Sequence, residues 1–146
     1  MKDKIIATYK RLFARTGLWC VIAGLVYSLS FVRGYLFLFG FLGLFMLYLK
    51  LFEGEPGQAP AKLFKKAFLF GIGFFIPLYS WFFVLYPFEA FDFTKVEGMF
   101  VVVFANIGLS LYHSVILALC FLLFKLFPKN KYILPFGAGC VMVLFE

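Results

Sequence analysis

Apolar residues in this chain fall in long runs, and polar residues fall in short clusters between them. Gly17 to Val32 is apolar, Arg33-Gly34 interrupts, and Tyr35 to Phe52 is apolar again. As one helix, 17–52 would be about 54 Å long against a bilayer core of about 30 Å. The chain is therefore expected to turn near Arg33-Gly34, where Gly34 offers the freedom a tight turn uses. Residues 53–60, with two prolines, two glycines and two acids, read as a loop. A third span is expected over 67–86, kinked at Pro77. An acidic loop, 87–97, leads to a fourth span over 98–127, longer than the core requires. Pro128-Lys129-Asn130-Lys131 closes it, and a fifth apolar run covers 132–146. The pattern predicts an all-α, polytopic membrane helical bundle of about five transmembrane helices. The spans are about 17–32, 34–52, 67–86, 98–127 and 132–146. Residues 2–15 mix Lys and Arg with Ile5, Ile6, Tyr9, Leu12 and Phe13 at helical spacing, a basic amphipathic start suited to the headgroup layer.

Composition supports this reading. The chain is 64% hydrophobic and 14% charged, against roughly 45–50% and about 25% in a soluble domain. Its net charge is +7. Because Lys and Arg flank apolar runs, the excess points to membrane phospholipid as partner and not to nucleic acid. With the N-terminus cytoplasmic, all but two of the 14 Lys and Arg residues fall inside; only Arg33 and Lys95 fall outside. Glu89, Asp92, Glu97 and Glu146 also fall outside. A signal peptide competes for the first segment, with Ser28-Leu29-Ser30 as its small-residue triplet. The next apolar run, however, begins within a few residues.

The candidate chemistry is sparse. Cys20, Cys120 and Cys140 sit inside apolar runs without CxxC spacing, and read as packing thiols. The fourth span carries Asn106, Ser110 and His113 at i, i+4 and i+7, with Ser114 beside them. Such an intramembrane polar face must turn toward protein or water. It reads either as interhelical hydrogen bonding or as a substrate or proton site built on His113. Gly71, Gly73 and Gly108 are expected to allow close helix approach. Trp81, with Tyr79 and Tyr86, is a possible contact at the outer interface. No GxSxG, HExxH or phosphate-cradling loop is present. No catalytic, cofactor-binding or metal-binding residues are expected.

Three stretches together resemble the N-terminal transmembrane region of bacterial apolipoprotein N-acyltransferase. The first is a short hairpin ending Tyr27-Ser28-Leu29-Ser30-Phe31. The second is the Gly-rich Ala67 to Phe75 followed by Tyr79-Ser80-Trp81. The third is Gly108-Leu109-Ser110-Leu111-Tyr112, followed by Leu134-Pro135 and a run to Glu146. Departures are Val32-Arg33 where the family has Pro, Ser80 where it has Asn, and Phe83 where it has Tyr. The resemblance implies a multi-pass protein of the bacterial inner (cytoplasmic) membrane that anchors a catalytic domain and admits lipid. In that family a periplasmic nitrilase-like domain moves an acyl chain from phospholipid to the N-terminal Cys of lipoproteins through a Glu–Lys–Cys triad. The triad maps onto no residue here, so the expectation is a fragment of such a transferase, inactive alone, reaching its lipoprotein substrate only through the missing domain. The alternative is a small stand-alone integral membrane protein that binds a lipid or protein partner. A transporter would need a midplane site between repeats, and no internal repeat is evident.

Overall fold

The structure, a computed structural model, describes residues 16–52, 59–86 and 93–123, and among them there is no strand. The basic start and the fifth apolar run, with Cys140, lie outside the described residues.

The first helix, α1, spans Thr16–Ser28 and tightens into a 3-10 turn at Leu29–Phe31. The serines account for the tightening. Ser28 Oγ donates to the Leu25 carbonyl and Ser30 Oγ to the Tyr27 carbonyl, each at 2.7 Å. Such back-bonds compete with the helical ladder. Arg33 then adopts an extended backbone (φ −151°, ψ 142°) and a second short turn, Gly34–Leu36, leads into α2, Leu38–Phe52. The reversal falls where the sequence placed it, but the extended Arg33 makes it. Gly34 has no left-handed φ, and a Cβ there would meet open space.

Helix α3 spans Pro60–Leu78. It starts earlier than the expected 67, because Pro60 occupies the first turn, where its missing N–H costs nothing. Lys62, Lys65 and Lys66 therefore lie in the helix and not before it. Past Pro77, which cannot donate to the Gly73 carbonyl, the chain tightens into a seven-residue 3-10 segment, Tyr79–Leu85. Helix α4, Lys95–Leu122, also begins before the expected 98. A capping box sets its start: Thr94 Oγ1 accepts from the Glu97 amide, and the Glu97 carboxylate accepts from the Thr94 amide at 2.9 Å.

Helix α3 is central, packed between α1 and α4, while α2 lies mainly against α1. Phe70, Phe74 and Phe75 of α3 fill the core with Cys20 and Ala23 of α1, Leu47 of α2, and Leu117, Ala118 and Phe121 of α4. Large apolar side chains also cover the outer faces, among them Phe41, Phe45, Phe100 and Phe104. Among the described residues, three stretches are long and apolar enough to cross a membrane: Gly34–Leu51, Pro60–Leu85 and Lys95–Leu122. The stretch Gly17–Phe31 is apolar but shorter.

Glycines set the closest crossings. A Cβ on Gly73 would collide with the Val21 carbonyl oxygen, and one on Gly24 would lie 2.8 Å from the Phe74 amide nitrogen. On the other side of α3, a Cβ on Gly71 would sit 2.9 Å from the Ser114 Cα. Gly108 does not share this role. It is exposed, and a Cβ there meets nothing within 4 Å.

Candidate functional site

The polar face of α4 turns toward α3. Asn106, Ser110 and Ser114 are buried, at 3%, 0% and 0% exposure. Their i, i+4, i+8 spacing forms one row along the helix. His113 lies beside that row, half-buried. The row is centred close to the middle of Lys95–Leu122, away from either helix end.

The groups in and beside this row have definite uses. Asn106 Nδ2 donates to the Ile76 carbonyl at 3.3 Å, just before Pro77 and the change to 3-10 geometry. Ser114 Oγ donates to the Ser110 carbonyl at 2.6 Å, where Gly71 lets the helices meet. His113 Nδ1 lies 2.9 Å from the Leu109 carbonyl and 3.2 Å from the Tyr79 hydroxyl. A carbonyl can only accept, so Nδ1 carries the proton and donates to Leu109, with the Tyr79 oxygen as a longer second acceptor. The imidazole also packs against Phe75 and Tyr79 of the α3 stretch, with ring centroids 5.5 and 5.4 Å away, and against Tyr112 at 5.1 Å. Ser110 is the exception: its hydroxyl is buried with no partner among the described residues.

Tyr79 was missed as a member of this site. Sequence reasoning grouped it with Trp81 as an interface anchor, yet it sits half-buried against His113. Trp81 does lie open, at 52% exposure, stacked on Phe82 with centroids 4.2 Å apart.

A second polar cluster joins α1, α2 and α3. Trp19 Nε1 donates to the Met46 carbonyl at 3.2 Å. The Lys50 ammonium lies 5.6 Å from the centroid of the Trp19 ring, and Lys50 is only 8% exposed. Its alkyl stem is tucked into the bundle while its charge meets an aromatic face. Lys66 Nζ donates to the Lys50 carbonyl, near the end of α2, where a cation complements the helix dipole. No sequence pattern marks Lys50 as buried, because it sits at a basic boundary where exposure is the usual outcome.

Cys20 is buried and Cys120 half-buried, both as free thiols. Among the described residues, no three His, Cys, Asp or Glu side chains are grouped to hold a metal ion. No family model, curated protein or solved structure matches this chain.

Proposed function

We propose that this chain is the membrane portion of a phospholipid-dependent acyl-transfer enzyme resembling apolipoprotein N-acyltransferase. It crosses the bacterial inner membrane about five times with its N-terminus inside. In this reading the bundle anchors and orients a periplasmic nitrilase-like domain and leaves its lipid-facing sides open to the phospholipid donor. That domain supplies the activated thiol, the base and the oxyanion donors that acyl transfer requires, and it meets the lipoprotein substrate.

One observation supports a holding role for the bundle above others. Asn106, His113 and Ser114 each spend a donor on a backbone carbonyl, Ile76, Leu109 and Ser110 in turn. The bond from Asn106 joins α4 to α3, and an interhelical bond of this kind is worth about 0.6 to 2 kcal/mol, whereas those from His113 and Ser114 close within α4 and satisfy donors that would otherwise face hydrocarbon. The motif order from Tyr27 through Trp81 to Tyr112 supports the choice of family, and the sorting of Lys and Arg supports the orientation. The second reading, a stand-alone membrane protein that binds a lipid or protein partner, draws on the open apolar surface of α4 around Gly108.

Sequencing the gene past the Glu146 codon separates the two. A frame that continues into a domain carrying Glu, Lys and Cys is the expected result, and the whole gene should then restore lipoprotein N-acylation in a depleted strain. A stop codon after Glu146 would overturn the acyltransferase reading.

A further inference from the structure

The α1–α2 hairpin reaches less far than the stretch that follows it. Lys66 reaches the Lys50 carbonyl, which sets the basic ends of α2 and α3 level. From Lys66 to Leu85 the chain rises about 32 Å, enough for a bilayer core of about 30 Å. From Lys50 back through Gly34 it rises only about 26 Å, and α1 with its 3-10 turn gives the same figure. The crossing of α1 with α3 agrees. Beyond Gly24 and Gly73, where the backbones meet, α1 has about 12 Å left before it turns and the α3 stretch has about 22 Å. The tip of the hairpin thus stops about 6 to 10 Å below the end of its neighbour.

The surface of the tip suits such a depth. Phe31, Val32, Tyr35 and Phe37 are all more than half exposed, at 54%, 66%, 72% and 56%. At their centre is Arg33, also exposed, and no described residue pairs with its guanidinium. An arginine among lipid-facing aromatics needs an anion within reach of its long stem, and phosphate matches its planar fork.

We propose that Arg33 binds the phosphate of a phospholipid in the leaflet at the hairpin tip. The tip of the hairpin is the floor of the site. The apolar rim selects a phospholipid over free phosphate, because the glycerol and acyl chains cover Phe31, Val32 and Tyr35 while the headgroup sits over Arg33. This site depends on membrane embedding and not on acyl transfer, so it can hold where the catalytic reading fails, and the reverse.

Native mass spectrometry of the intact chain released from phosphatidylglycerol nanodiscs tests it. The wild type is expected to keep bound phospholipid, and Arg33→Gln to keep about fivefold less. Arg33→Lys should keep an intermediate amount, and Lys95→Gln should match the wild type. A second reading guards against misfolding of Arg33→Gln. In a chain whose other arginines are replaced (Arg11→Lys, Arg15→Lys), carbon–phosphorus dipolar coupling should place the Arg33 guanidinium carbon beside lipid phosphorus in the bilayer. Equal lipid retention by Arg33→Gln, or a folded Arg33-only chain without that coupling, would overturn the proposal.

Discussion

On one side of α3, the α1 backbone comes so close that a methyl group at Gly73 would strike the Val21 carbonyl. On the other side, α4 meets α3 through a row of polar side chains, and Gly71 allows a comparable approach, against Ser114. Both interfaces run through an apolar bundle, but they fail in different ways. Backbone contact gains dispersion along its length and tolerates no added volume. A polar seam tolerates shape changes and depends on each donor keeping its acceptor.

The difference can be broken one residue at a time. Gly73→Ala should be the most damaging, lowering unfolding free energy in detergent by about 3 kcal/mol, because backbone and not a side chain blocks the new methyl. Gly71→Ala should cost about 2 kcal/mol, since the contacts of its new methyl with Ser114, the Cα included, lie at 2.8–2.9 Å and are less tight than that of Gly73 against the Val21 carbonyl. If the two glycines cost the same as Gly108→Ala, whose Cβ meets open space, close approach is not what holds α1 and α4 to α3.

The polar seam should respond to chemistry in place of volume. His113→Leu should cost about 1 kcal/mol, and His113→Gln much less, because an amide can still donate to the Leu109 carbonyl. Equal losses for both, measured by reversible unfolding, would show that the imidazole does something other than donate that bond. The smallest effect is expected at Ser110, whose buried hydroxyl has no partner among the described residues. Ser110→Ala should be neutral or gain up to about 1 kcal/mol, since it removes an unpaired polar group. A loss as large as that of His113→Leu would mean the hydroxyl is bonded in the bilayer.

Much of this was legible from spacing. The i, i+4 relation of Asn106 and Ser110 marked an inward face, because a polar row in an apolar helix has to be covered. Periodicity names a face and not a neighbour, so it could not show that Tyr79 meets His113 or that Asn106 meets Ile76. It also grouped His113 with the row, whereas the buried row continues to Ser114. Glycine identity alone misplaced Gly108, since whether a missing Cβ matters depends on the opposing backbone. Gly24 carried no polar or motif signal, yet it lies at the α1–α3 crossing. The turn at Arg33-Gly34 was located by length, and its mechanism was not, because an extended residue leaves no mark in composition. The start of α3 at Pro60 was legible in principle, from the preference of proline for a first helical turn.

The most direct test of the seam is the contact between Asn106 and Ile76 in a lipid bilayer. Nitrogen–carbon dipolar recoupling, with Asn106 labelled at Nδ2 and Ile76 at its carbonyl carbon, should show a weak but measurable dephasing, as a nitrogen–oxygen separation of 3.3 Å requires. The Asn106 amide should give no cross-peaks to lipid acyl chains. Absent coupling, with Asn106 in contact with acyl chains, would contradict a polar face turned toward α3 and the packing role built on it.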